Sequence, residues 1–216
     1  MTVNLTLQRR GLLLIPLVLS GFTHLWNPAG FPDIFFDEGV YMRRAIHVIE
    51  GLGPQESYFH DHPFFGQLFL AGALILTGFP GSSGTDADSI SALYTVPRVL
   101  MGLLAIADTF LVFKITERKY GRNIALLASV LFAVMPITWL LRRILLDSIL
   151  LPLVLSSIFF AMQSSTTGKR RIAFVLLSGA FLGLAVFTKI PAVIMMPVVG
   201  YLVLSSKDSR RLARLG

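Results

Sequence analysis

The sequence predicts an all-α, polytopic helical membrane protein, and three observations carry that prediction. Hydrophobic residues make up 54% of the chain and charged residues only 14%, whereas a soluble domain carries roughly a quarter charged residues. Several apolar runs approach the ~20 residues a helix needs to cross a bilayer. Lys and Arg gather in short loops between these runs, as cytoplasmic loops do. A membrane β-barrel would show short alternating segments instead. The net charge of +7 is accounted for by those loops. No basic, aromatic-interleaved module accompanies it, so no nucleic-acid partner is expected. The chain has no cysteine, which excludes disulfides and thiolate metal sites.

Each element follows from local pattern. Residues 11–26 read as a first span with Trp26 as interfacial anchor. No small-residue cleavage site follows, so the run is not a signal peptide. Residues 27–62 read as an extracytoplasmic loop. Within it, 37–51 has helical spacing but is too polar to span, so a short surface helix is expected, ended by Gly51 and Gly53. Pro63 is expected to open an apolar helix over 63–79. Further spans are expected over 94–116, 123–141 and 144–162, then a hairpin of 172–187 and 192–204 around Thr188-Lys189-Ile190-Pro191. No internal repeat appears, and residues 1–216 read as a single transmembrane module.

The loops ERKYGR, GKRR and KDSRR can all lie on the cytoplasmic side only if 63–79 does not cross. That arrangement puts Arg43, Arg44, Arg98, Arg142, Arg143 and Lys189 on the outer side. Cations there at helix ends need a reason. Snorkelling to lipid phosphates is one; a site for an anionic, lipid-linked ligand is the other.

The stretch from Phe35 to Pro63 carries most of the candidate chemistry. On a helix, Asp37, Tyr41 and Arg44 share a face. A carboxylate there serves as general base or cation ligand, unless Asp37 and Glu38 merely cap the helix. His60-Asp61-His62 precedes a helix start, which fits a metal site or an anion site. Arg143 and Asp147 lie one turn apart at the start of a span, either as a neutralising pair or as part of a cavity.

These pieces, in order, resemble the GT-C glycosyltransferases, closest to the protein O-mannosyltransferase and aminoarabinose-transferase-like superfamily. The resemblance rests on Asp37-Glu38, on His62-Pro63-Phe64-Phe65-Gly66-Gln67-Leu68, and on Arg142-Arg143-Ile144-Leu145-Leu146-Asp147-Ser148-Ile149-Leu150. It is extended by Gly183-Leu184-Ala185-Val186-Phe187-Thr188-Lys189-Ile190-Pro191 and by Tyr94-Thr95-Val96-Pro97-Arg98. One departure is Phe64-Phe65, where the family usually has a second proline and a leucine.

The resemblance implies a GT-C-like N-terminal module with an extracytoplasmic active site and a polyprenyl-phosphate-linked sugar as donor. A protein or glycan would be the acceptor. Asp37 carries over as the catalytic acid or base, with Glu38 beside it. Tyr41, Arg44, His62, Arg98, Arg142, Asp147 and Lys189 would bind substrate or phosphate or line the cavity. A divalent metal on His60 and His62 is the one cofactor left open. Family members are usually longer. The chain is therefore expected to be the membrane portion of a longer enzyme, or to work with a second membrane subunit. The alternative is a non-catalytic subunit binding a lipid phosphate. The motifs look bacterial, which implies a prokaryotic plasma membrane.

Overall fold

The computed structural model describes residues 2–54, 61–76, 78–81, 84 and 86–212, with side chains described between Gly11 and Ser205. Among these residues there is no strand. The helices are α1 (Thr2–Leu25), α2 (Phe36–Ile49), α3 (Phe65–Leu76), α4 (Ala87–Tyr120), α5 (Arg122–Val134), α6 (Leu146–Gln163), α7 (Gly168–Thr188) and α8 (Met196–Leu212). Two 3₁₀ helices, η1 (Pro136–Arg142) and η2 (Ile190–Met195), precede α6 and α8. The protein is an all-α, multi-pass membrane protein. Helices α4, α6 and α7, of 34, 18 and 21 residues, are long and apolar enough to cross a bilayer.

The expected single span over 123–141 is instead broken. Helices α5 and η1 meet at a 67° bend. Pro136 lacks an N–H, and it pushes Met135 out of the helical region to φ −66°, ψ 131°. Helix α1 satisfies carbonyls near the break. The Thr23 hydroxyl donates to Ala133 O (2.8 Å), and His24 Nε2 lies 3.2 Å from Thr138 O. Inside a membrane such carbonyls need protein partners, because no water is there to take them.

Helix α3 starts at Phe65, two residues later than expected, and has only 12 residues. At about 1.5 Å per residue it spans ~18 Å, well short of the roughly 30 Å hydrocarbon core. Its length therefore favours the non-crossing reading.

Helix α4 is central, with α1, α3, α5, α6 and η1 all packed on it. The Asp86 side chain caps its start by accepting from Ser89 N at 2.9 Å. Gly121, at φ 83°, turns the chain into α5. Helix α1 crosses α4 so closely that a Cβ at Gly102 would sit 2.7 Å from His24 O. Below this crossing Thr109 donates to the Ser20 hydroxyl at 2.8 Å. A core of Met42, Ala45, Leu70, Leu74, Met101 and Ile149 joins α2, α3, α4 and α6. Asp108, in the middle of α4, is fully enclosed, and neither carboxyl oxygen has a hydrogen-bond partner.

The two ends of the bundle differ in chemistry. One carries Arg118, Arg122, Lys169, Arg170 and Arg171, with Arg118 donating to Gln163 at the end of α6 and, through Nη2, to Ser165 just beyond it at 2.6 Å. The other gathers α2, the start of α3, η1, the start of α6 and the end of α7. It holds the candidate site.

Candidate active site

The site is built on a buried ion pair. Glu38 closes the first turn of α2 by accepting from Phe35 N through Oε2 at 2.8 Å, while Glu38 N donates to Phe35 O at 3.0 Å. Arg98 grips the same carboxylate in a fork, Nε to Oε1 at 2.9 Å and Nη2 to Oε2 at 2.7 Å. Ile144 N adds a fourth donor to Oε1 at 2.9 Å. The remaining Arg98 nitrogen donates to Pro32 O at 2.7 Å and Pro28 O at 3.0 Å. Glu38 is 0% exposed and Arg98 1%. Thus one carboxylate and one guanidinium tie together the loop before α2, α2, α4 and the η1–α6 junction.

Four of the expected site residues are engaged within the protein. The Glu38 oxygens are filled and sealed, and Glu38 and two carbonyls take up the donors of Arg98. Arg142, 2% exposed, donates to Thr23 O at 3.0 Å and to Trp26 O, and lies over the Phe31 ring at 5.5 Å. These contacts stabilise the carbonyl end of α1. Arg44, 3% exposed, donates to Asp61 Oδ1 at 2.6 Å, which pins α2 to the segment ahead of α3.

What remains open is a smaller constellation. Asp37 is half-buried and makes no hydrogen bond or ion pair with any described residue. One turn on, Tyr41 stands close enough to Asp37, Asp147 and Asp61 to feel their charge. Burial first, and then these three carboxylates, push the Tyr41 phenol up to about 12, against a smaller opposing effect of Arg44. Tyr41 is therefore a proton donor in neutral solution. Burial pushes the Asp61 carboxyl up, but the Arg44 guanidinium more than offsets it and leaves the group below its usual range. The His62 ring lies 6.3 Å from the Tyr41 ring.

Across from Tyr41, Lys189 Nζ sits 2.9 Å from both oxygens of Asp147. Extended backbone at Lys189 (φ −154°, ψ 123°) ends α7 and turns the side chain to α6. Helix α3 is pressed against both, since a Cβ at Gly66 would run into Leu146 and approach Thr188. From Asp147 an apolar groove of about 350 Å³ runs between α6 and η2, lined by Leu150, Leu151, Val154, Ile194 and Met195.

Of the two histidines expected to hold a metal, His60 lies outside the described residues. Among the described residues no three His, Asp or Glu side chains converge to hold an ion. Two carboxylates take partners the sequence did not suggest. Asp61 pairs with Arg44, 17 positions away. Asp147, expected beside Arg143, pairs with Lys189 instead.

The structure is thus a multi-pass helical bundle with a carboxyl group that pairs with no described residue, a phenol beside it, and an Asp147–Lys189 ion pair at an apolar groove. The sequence profile of the dolichyl-phosphate-mannose-protein mannosyltransferases matches residues 13–206. The chain belongs to that family, which implies membrane glycosyltransferase activity with a lipid-linked donor and an acceptor. No curated protein and no solved structure matches it.

Proposed function

We propose that the chain moves a sugar, of the mannose type its family uses, from a polyprenyl-phosphate donor to a hydroxyl of a protein or glycan. The transfer takes place at the Asp37 cleft, on the extracytoplasmic face of a prokaryotic plasma membrane. The observation that supports this reading is the Asp37 carboxyl group, which pairs with no described residue and lies one turn from a protonated phenol that also feels Asp147, a residue lining an apolar groove.

The groove suits part of a prenyl chain, and its head presents Lys189 where the phosphate would emerge. An acceptor hydroxyl attacks the anomeric carbon, and the bond from that carbon to the phosphate oxygen breaks. Asp37 takes the hydroxyl proton. Tyr41 donates a hydrogen bond within the cleft, and Lys189 neutralises the departing phosphate. To do so Lys189 exchanges Asp147 for phosphate, so the ion pair holds the cation in place until donor arrives.

The test is transfer from mannosyl-phosphoryl-polyprenol to an acceptor in proteoliposomes, comparing wild type with Lys189→Gln. Losing one charge-assisted contact should raise KM for the donor about tenfold. An unchanged KM would reduce Lys189 to a strut for Asp147. Absence of transfer by the wild type, with polyprenyl phosphate still bound, would replace the enzyme reading with that of a lipid-phosphate-binding subunit.

A further inference from the structure

The geometry points to Arg143, backed by Phe35, as a second oxyanion contact at this end of the protein, one that takes the phosphate of a lipid. Where that lipid is the donor or its product, the inference rests on the function proposed above.

The argument begins from where the other cations have gone. Arg98 is spent on Glu38, Arg142 on the end of α1, Arg44 on Asp61, and Lys189 on Asp147. Arg143 differs. Its guanidinium makes no hydrogen bond or ion pair with any described residue, and its Nε is enclosed with no acceptor. An enclosed, unmatched donor costs free energy that a fold normally avoids. Arg143 as a whole is only partly buried, and no described residue claims the two terminal nitrogens of its guanidinium, which leaves them to a partner from outside the chain.

Its surroundings hold the side chain ready. The guanidinium carbon lies 5.1 Å from the Phe35 ring centroid. Stacking on an aromatic face steadies a guanidinium while leaving its in-plane N–H groups directed outward. The backbone is equally constrained. Arg143 N donates to Leu140 O at 3.0 Å, and Arg143 O accepts from Leu145 N at 2.8 Å and from the Ser148 hydroxyl at 2.9 Å. The next residue, Ile144, donates to Glu38. The cation is thus fixed to the same ion pair that positions Asp37. Phe35 stands two residues before Asp37 in the chain, and Arg143 four residues before Asp147.

A planar fork of unmatched donors beside a membrane surface recognises a tetrahedral oxyanion. Phe35, which stacks on it, and the next residue, Phe36, are 46% and 79% accessible, so the anion arrives on an apolar carrier. Two carriers share this chemistry: a polyprenyl phosphate and the headgroup of an anionic phospholipid. In the first case Arg143 acts with Lys189 on the leaving phosphate. In the second it fixes the height of the cleft above the bilayer.

The experiment measures binding of polyprenyl phosphate to the full chain in detergent. In parallel it measures retention of phosphatidylglycerol by native mass spectrometry. The proteins are wild type, Arg143→Gln, Arg143→Lys and Phe35→Leu. The inference predicts roughly tenfold weaker polyprenyl-phosphate binding for Arg143→Gln, partial rescue by Arg143→Lys and a smaller loss for Phe35→Leu. A loss confined to phosphatidylglycerol retention identifies the headgroup as the source. Unchanged binding of both lipids by monodisperse Arg143→Gln overturns the inference. Should Arg143→Gln fail to fold, unchanged binding by Arg143→Lys and Phe35→Leu does so. Failure of the transfer reading shows separately, as absent sugar transfer by the wild type while the binding measurements still resolve Arg143.

Discussion

Asp37→Asn should abolish sugar transfer while leaving the fold intact. The carboxyl group bonds to no described residue, so the isosteric amide disturbs no described contact. Its place in the first turn of α2 contributes only a favourable helix-dipole interaction, worth under about 1 kcal/mol at a surface. The chemical loss is much larger. Removing a positioned general base typically costs ~10²–10⁴-fold in rate. The informative measurement is turnover per folded protein, with thermal unfolding in detergent recorded alongside. An unchanged melting temperature with lost turnover places Asp37 in the chemistry. Retained turnover would move the base elsewhere, His62 and Asp147 being the nearest candidates.

The opposite result is expected at the pair formed by the next residue, Glu38, with Arg98. Arg98→Met leaves the Glu38 carboxylate enclosed without its counter-ion, and removal of one partner of a buried pair costs about 3–5 kcal/mol. Four segments meet on this carboxylate, so the loss should appear as a large drop in melting temperature and in monodisperse yield. The double substitution of Glu38→Leu with Arg98→Met should recover part of that stability, because no charge is then left buried. It should not recover activity, since Phe35, Ile144 and the loop before α2 lose their anchor and Asp37 loses its position. If Arg98→Met were as stable as wild type, the pair would not be the frame of the site.

Asp37 and Glu38 show what a sequence can and cannot disclose. Both acids at the start of a polar helix were visible, as were the alternatives of capping and chemistry. The structure assigns capping to Glu38 and leaves Asp37 unpartnered. Adjacent helical residues point about 100° apart, and the side facing inward is set by Arg98, 60 positions away. Arg142 and Arg143 repeat the pattern. Arg142 turns to α1 carbonyls 116 and 119 positions back, while Arg143 stacks on Phe35. The spans of α4, α6 and α7, by contrast, are legible because apolar length alone decides them, whereas the runs expected at 11–26 and 192–204 fall in shorter apolar helices, Gly11–Leu25 and Ile190–Ser205. The exception, the break in 123–141, came from Pro136, whose effect on a span depends on whether a neighbour such as Thr23 takes up the carbonyls. The 12 residues of α3 agree with the charge pattern, in which three basic loops share one side only if this helix does not cross.

The central claim is that a lipid-phosphate donor enters between α6 and η2 and presents its phosphate to the Asp37 cleft. It is tested most directly with a polyprenyl phosphate bearing a photoactivatable group on its first isoprene units. After irradiation, the labelled peptides are mapped by mass spectrometry. The account predicts labels on Leu150, Leu151, Val154, Ile194 or Met195, reduced by unlabelled polyprenyl phosphate and by Lys189→Gln. Labels confined to the lipid-facing side of α5, or to the basic end around Arg122 and Lys169, would contradict it.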